Sequence, residues 1–517
     1  MSGQTHLVLG SMACVWTIGV IIRAYLRKSH LPPSPPNRRL WGHSLLPHNA
    51  SFTIAQWIDE YGPLITIRSG LRTIVIIGRY KAAVDIMEKQ SKVVAGRPRL
   101  AAAELVTRGL GVLLLQANDR FRRLRRALHS HLQPKSADAY QPMQMSHAKF
   151  VILSILDDPD NFQNHATTFA ATTSMKVAYG KTTPTSATDP EIRESQLIPW
   201  LKYLPGYALE LKDQSKRTRR LYTDQLNRVK LQMQSNEDIG PSFAKHILEN
   251  GHLYGLTEIE MAYLAGGFFG AATETVKRCS FFPDLYIDIK WQTAVAICTV
   301  LMAAAHFPDE QVRVQDELDE VIGRKRAPTF ADKPSLPRLA AFISEALRWR
   351  PLSPEGGGAS PNRSRCDLGE CSLNDLFSAE YSDIRQQENY CIPAGTTVTG
   401  NIWAISRDPE VNPEPDAFKP QRWVNDQGRL RGDLSFFIYG FGRRICPGQH
   451  IANRLSVFIN SLLILWAFEL SLDPAKPQDD MGFMNTTMPN VPLAIKFKAR
   501  VPEVELRRMM QNYPEAG

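Results

Sequence analysis

Hydrophobic positions along this chain change period several times, and each change predicts an element. Two short runs, Leu64–Ile67 and Thr73–Ile77, are rich in β-branched residues and flank Gly70, which predicts a hairpin. Lys81–Gln90 then takes on a helical period. The greater part of the remaining chain is helical in pattern. Phe121, Leu124, Leu128 and Leu132 form one apolar stripe, Asp309–Ile322 and Leu339–Trp349 read as further helices, and Gln449–Leu470 predicts a long apolar helix. The expected fold is therefore mainly α with small β-sheets. No internal repeat or long low-complexity run divides it.

The N-terminal pattern differs. Leu7–Ile22 is almost wholly apolar and is followed at once by Arg23, Arg27 and Lys28. Counted on to Leu26, with Arg23 snorkelling, the run reaches the short end of the bilayer-spanning range. A cleaved signal peptide competes, because the apolar stretch is short enough for one. The basic cluster on its C-terminal side favours an anchor whose following chain stays in the cytosol. Pro32, Pro33, Pro35 and Pro36 then predict a stiff extended spacer. The expected organisation is an anchor with basic flank over 1–28, a Pro-rich hinge over 29–40 and a catalytic domain over 41–517. With a cytosolic body, the sequons at Asn49, Asn362 and Asn485 go unused.

Composition narrows the class. At 517 residues and 43% hydrophobic, the chain can bury a large core. Its seven irregularly spaced cysteines do not resemble a disulfide framework. A formal charge of +9 fits work near anionic lipid or an acidic partner, and equally an ordinary solvated surface. No nucleic-acid motif accompanies it, so no nucleic-acid partner is expected.

The chemistry concentrates in Tyr439-Gly440-Phe441-Gly442-Arg443-Arg444-Ile445-Cys446-Pro447-Gly448, directly before the last long helix. The glycines permit a tight loop that approaches a flat ligand closely. Cys446, just ahead of a helix N-terminus, sits where a thiolate is favoured, and thiolate is the form that ligates iron. Such an axial ligand pushes electron density onto haem iron and favours O–O cleavage. Arg444 is placed to pair a haem propionate.

This string resembles the cysteine loop of the cytochrome P450 family, of the fungal microsomal kind, with Tyr439 where the family usually has Phe. The resemblance runs from the anchor to about residue 500. Three other stretches carry it. Glu345 and Arg348, one turn apart, are similar to the family's Glu-x-x-Arg pair, and Phe418–Trp423 resembles the loop that supplies its third member, here Arg422; their implied role is structural. Asn118–Arg126 resembles the haem-contacting helix, with Phe121 where Trp is usual and Arg125 on the same face. Arg122, Arg123 and Arg126 point elsewhere, toward a reductase or simply into solvent. Ala271–Thr275 is similar to the oxygen-activation motif, in which Thr275 hydrogen-bonds dioxygen or water and Glu274 relays protons.

The resemblance implies haem b ligated by Cys446, electrons from an NADPH-dependent reductase, a lipophilic small-molecule substrate and a single-pass protein of the endoplasmic reticulum membrane. The implied reaction inserts one atom of dioxygen into that substrate, in secondary metabolism or xenobiotic oxidation. Two alternatives stay open: a haem-thiolate isomerase or dehydratase, and an inactive product of a mis-spliced gene.

The last alternative comes from departures within the sequence. Val276–Gln292, with Pro283 and no helical period, interrupts the helix that carries Thr275, and joining Thr275 to Thr293 restores both the helix and the family pattern. Valine codons begin with GT and a glutamine codon can end in AG, so a retained intron is expected there. Pro361-Asn362-Arg363-Ser364 resembles the family's Pro-His-Arg strand, with Arg363 able to reach a propionate. Roughly Cys366–Tyr381 is then surplus, as a second intron or a surface insertion. Between Glu194 and Leu201 the chain is some two dozen residues short of the family pattern.

Overall fold

A computed structural model describes residues 31–36, 43, 50–69, 72–97, 101–181, 207–235, 240–273, 292–354, 379–380, 384–387, 390–393, 396–434, 437–476, 481 and 494–514. The N-terminal anchor, Glu274, Thr275, Val276–Trp291, Arg363 and the Glu194–Leu201 stretch lie outside them.

The predicted hairpin is present. Strands β1 (Leu64–Ser69) and β2 (Arg72–Ile77) pair antiparallel from Leu64 opposite Ile77 to Ser69 opposite Arg72. Helix α1 (Ala50–Tyr61) packs Ile54 and Ile58 on the face made by Ile65, Ile67 and Ile76. A distant segment completes the sheet: β6 (Thr397–Gly400) lies parallel to β2 and pairs on its other side with β3 (Ala379–Glu380). Parallel pairing across so many residues needs a long crossover, and here the helical body supplies it. A separate pair joins β4 (Ile384–Gln387) to β5 (Tyr390–Ile392).

The Pro-rich segment is held against this sheet. Thr66 donates from its backbone N to Pro33 O at 2.7 Å and from Oγ1 to Pro32 O at 2.8 Å, and Pro32 and Pro35 are buried. Prolines lack an N–H but keep their carbonyls, so an extended proline run can still dock as an acceptor edge. Over 31–36 the spacer is thus bound to the catalytic body.

After β2, helix α2 (Tyr80–Ala83) continues as a π-helical turn over Val84–Lys89, within the stretch expected to be helical. The body then runs through α3 (Ala101–Thr107), α4 (Asp119–Leu132), α5 (Gln141–Asp157), α6 (Phe162–Tyr179), α7 (Tyr207–Gln234), α8 (Phe243–Asn250), α9 (Glu258–Thr273), α10 (Gln292–His306), α11 (Pro308–Val321) and α12 (Pro337–Trp349). The stripe Phe121, Leu124, Leu128 and Leu132 is buried along α4. Asn118 caps that helix, accepting from Phe121 N at 3.0 Å. Helices α9 and α10 both pack on α6, one on each side of the interruption read in the sequence.

The expected helix over Gln449–Leu470 is shorter than its apolar run. A π-helical turn spans His450–Val457, helix α14 covers Phe458–Ala467 after the short α13 (Ile402–Ser406), and Phe468–Leu472 forms strand β7 paired with β8 (Ile495–Ala499). The switch follows from the pattern Phe-Glu-Leu-Ser, whose alternating burial suits a strand. Every residue of α14 is buried. His450–Ala467 is long and apolar enough to cross a membrane, but here it forms the centre of the core.

Candidate active site

The cysteine loop is anchored at both of its ends. Phe437 and Phe441 join the sheet-side core with Val75, Val398 and Ile402, while Ile451 and Leu455 belong to the helical core. Between them the backbone folds on itself: Gly440 N donates to Phe437 O at 2.9 Å, Arg444 N to Phe441 O at 3.0 Å and Cys446 N to Tyr439 O at 2.8 Å. Gly442 is required sterically. Its φ is +44°, its N–H donates to Glu88 Oε1 at 2.9 Å, and a Cβ there would lie 2.5 Å from Met87 O.

Cys446 carries a free, half-buried thiol. Burial of its sulfur pushes the thiol pKa up, while the Gly448 N–H, the Arg125 charge and the Gln449 N–H pull the other way without winning. The thiolate-favouring groups expected at the helix end are therefore present but outweighed, because desolvating a charge costs more than two N–H groups return. Burial and the neighbouring Cys446 likewise raise the half-buried Tyr439 phenol. Phe268 of α9 lies beside the same loop, 3.8 Å from where a Cβ on Gly448 would be.

Three guanidinium groups converge on the loop's flank. Arg444 donates from Nε to Ala95 O at 2.7 Å and from Nη2 to Leu115 O at 2.6 Å, and its carbon Cζ lies 3.7 Å from the centre of the Phe121 ring. Its Nη1 is buried with no partner among the described residues. Arg125 donates from Nη2 to Ile445 O. Arg97 is 5% exposed, and its backbone N donates to Gln116 Oε1. Burial lowers the pKa of all three: Arg97 to about 10, Arg444 to about 9 with Arg97 and Arg125 repelling it, and Arg125 in the same direction. Among the described residues neither Arg125 nor Arg444 forms an ion pair. Arg97 was not anticipated, because no motif or local period in the sequence singles it out.

A second buried charge cluster gathers around Glu345. Arg348 donates from Nε and Nη2 to both oxygens of Glu345 at 2.8 Å, and Arg422 donates from Nε to Glu345 Oε1 at 3.1 Å. Trp423 Nε1 at 2.9 Å and Lys419 N at 2.8 Å complete the carboxylate's shell. The Arg348 fork also reaches Pro415 O, Ser406 O and Ala417 O. Burial alone would raise the Glu345 carboxyl, but the Arg348 bonds and charge, the Lys419 N–H and Arg422 hold it below the ordinary range. The structure thus brings Glu345, Arg348 and Arg422 together; Trp423 and the Lys419 N–H were not foreseen.

The basic face of α4 is partly engaged internally. Arg123, expected to point away, instead donates to Gly255 O and pairs with Glu260 at 3.4 Å, and Arg120 pairs with the same carboxylate at 3.1 Å. Glu260 is buried, so it draws in cations the helix pattern alone assigns to solvent. Arg122 pairs with Asp119, and Arg126 remains exposed. The oxygen-activation pair Glu274 and Thr275, and Arg363, lie outside the described residues.

Comparison with known proteins agrees with this geometry. The family model for cytochrome P450 matches residues 32–357 and 381–497. The chain belongs to the cytochrome P450 family. It is 41% identical over 496 residues to cytochrome P450 monooxygenase 113 of Postia placenta, covering 92% of each chain. It is 40% identical over 508 residues to cytochrome P450 monooxygenase 64 of the same fungus, covering 94% of this chain and 95% of the relative. A zebra fish cytochrome P450 solved with progesterone shares its fold at a TM-score of 0.67 and 21% identity, over 88% of this chain and all of that one.

The protein is accordingly a haem-dependent monooxygenase, an oxidoreductase in which a cysteine thiolate ligates the haem iron and a redox partner supplies electrons. Its residues fit that group. The orphaned Arg444 Nη1, within a group of arginines that repel one another, matches an anionic cofactor, and a half-buried free thiol sits on a glycine-shaped loop beside it.

Proposed function

We propose that this P450 inserts one oxygen atom into a lipophilic small molecule and that Cys446 is its iron ligand. The arginine cluster beside Cys446 carries the reading: Arg444 and Arg125 have no acid partner among the described residues, and Arg97 adds like charge beside them, which calls for an anion from outside the chain. Arg97, Arg125 and Arg444 would hold the two haem propionates, with Arg363 as a further contact from the sequence pattern. Phe121 would keep the Arg444 fork in plane, and Tyr439 would close the loop behind the sulfur. Bound haem b supplies dioxygen activation. Iron ligation would displace to solvent the proton that burial otherwise keeps on Cys446 Sγ.

Glu274 and Thr275 directly follow the end of α9 in sequence. Thr275 Oγ1 would hold a proton donor over the reacting oxygen, and the Glu274 carboxylate would resupply it, as heterolytic cleavage of an O–O bond requires. Electrons would come from an NADPH-dependent reductase. The N-terminal apolar run would anchor the chain in the endoplasmic reticulum membrane, single-pass, with the catalytic domain cytosolic. The fungal relatives support a role in secondary metabolism or xenobiotic oxidation.

A specific observation keeps the mis-splicing alternative in view. The family match omits 358–380, which contains most of the second surplus read from the sequence. The carbon-monoxide difference spectrum of the reduced protein tests both readings, run on the full chain and on a version lacking Val276–Gln292. A strongly red-shifted Soret band in the full chain establishes the thiolate site as it stands. A band only in the shortened chain identifies the segment as untranslated in the working enzyme. No band in either removes the proposed function.

A further inference from the structure

The segment that leads into the cysteine loop lines a cavity of about 30 Å³, roughly twice the 10–15 Å³ that one water needs. Leu434, Phe437 and Ile438 contribute to it from that segment, and Ile402 and Ile405 from α13. Most of its surface is therefore apolar. Tyr80, Val411 and Ile438 line it while only half-buried, so the cavity communicates with the surface. None of the arginines grouped beside Cys446 lines it, and the haem chemistry makes no use of it.

The polar side chains of the lining decide what can enter. Arg348 is one of them, and its five N–H donors are all engaged, by both oxygens of Glu345 and by the carbonyls of Ser406, Pro415 and Ala417. The Trp423 indole N–H, also in the lining, is taken by Glu345 Oε2 at 2.9 Å. Asn412 differs. Its side chain is 5% exposed, and its Nδ2 donates to Ser406 O at 3.2 Å. Its Oδ1 is buried with no partner among the described residues. Turning the amide over would set Oδ1 against the Ser406 carbonyl, acceptor to acceptor, so the network fixes which end stays open. The backbone holds the side chain in place, since Asn412 N donates to Asp408 O at 2.8 Å. A buried amide oxygen left in this way has lost its water and gained nothing, and such a group calls for an explanation.

We infer that this cavity is a binding site for a small neutral alcohol of about three carbons, whose O–H donates to Asn412 Oδ1 while its hydrocarbon end packs on Ile402, Ile405 and Phe437. The alternatives fail on chemistry. An anion meets no open donor on Arg348 or Trp423, and a cation would be set beside the Arg348 guanidinium. A ketone or ether of the same shape offers no donor to Asn412. Water offers one, but it needs two to four polar partners and leaves the apolar walls uncovered. The site also has a structural neighbour of consequence. Phe437 O accepts from Gly440 N at 2.9 Å and Tyr439 O from Cys446 N at 2.8 Å, so a guest against Phe437 and Ile438 leans on the turn that positions the cysteine loop.

Three molecules of one shape test it on the holoenzyme: 2-propanol, acetone and isopropylamine. Diffraction from crystals soaked in 2-propanol should show the alcohol in the cavity, its oxygen within hydrogen-bond distance of Asn412 Oδ1. In solution, saturation-transfer NMR should read 2-propanol as several-fold tighter than acetone, with protonated isopropylamine weakest. Val411→Phe, which fills the cavity from its half-buried side, supplies the background from every other site and should lose the difference. Asn412→Leu should bring 2-propanol down to the level of acetone. Water alone at the Asn412 oxygen in the soaked crystals overturns the inference. Equal binding of alcohol and ketone by the wild type overturns it too, as does a preference for the alcohol that survives both substitutions. The carbon-monoxide band, recorded on the same samples, reports separately on the thiolate–haem site, so failure of this site and failure of the monooxygenase reading give different results.

Discussion

Two buried arginine clusters follow opposite rules. Around Glu345 the charges balance: one carboxylate receives Arg348, Arg422, Trp423 and a backbone N–H, and Arg348 meets carbonyls with its remaining donors. Around Arg444 they do not: three cations share a flank, burial and mutual repulsion weaken the protonation of Arg444, and one of its N–H groups points at nothing described. A self-satisfied network reads as scaffold, because nothing further is needed to hold it. An unbalanced one reads as a ligand site, because a folded chain tolerates buried like charge only where something else supplies the opposite charge.

The largest effect expected bears on the thiol beside the open cluster. Cys446→Ala should abolish the red-shifted carbon-monoxide band entirely while the chain still folds, measured by the reduced difference spectrum alongside circular dichroism. Retention of the band would remove Cys446 as ligand. Next, Glu345→Ala should strip the balanced cluster of its acid and leave Arg348 buried and unpaired. The expected loss is about 3–5 kcal/mol, read as a fall in the denaturant midpoint of the apoprotein. Little change would mean the cluster is dispensable.

The opposite sign is expected in the open cluster. Arg444→Met should leave the apoprotein as stable as before or more so, since it removes a cation held out of water without an acid. The same change should weaken haem retention by ~10-fold or more, measured by haem transfer to an acceptor protein. Destabilisation of the apoprotein comparable to that of Glu345→Ala would erase the distinction between the clusters.

The smallest effect is a pH dependence outside both. Burial, reinforced by His246, depresses His131 to about 4, and burial together with Lys176 depresses His147 to about 4. A folded-state value below the unfolded 6.5 means the unfolded chain binds the proton first, so stability present above pH 6.5 is lost as pH falls toward 4. The loss is at most roughly 3 kcal/mol per histidine, and His131→Gln should flatten its share in thermal melts across that window. An unchanged slope would place the acid sensitivity elsewhere.

The cysteine loop and the Glu345, Arg348 and Arg422 trio were legible because each rests on local spacing or a short motif. The β1–β2 hairpin and the stripe on α4 were legible for the same reason, as their periods are set within a few residues. Arg97 and Trp423 were not, because their surroundings come from segments far off in the chain. Arg123 was misplaced for a related reason: its acid, Glu260, stands 137 residues away. The end of α14 was misread because apolar content carries on through Phe468 while the period changes beneath it.

By itself, then, the sequence determined the family, the thiol proposed to face iron and the helical class of the body, since these depend on residue identity at fixed short offsets. Only the tertiary structure decided which charges are balanced and which are left open, and that the proline segment is docked on β1. Charge balance and burial are properties of neighbours in space, and no local pattern specifies who those neighbours are.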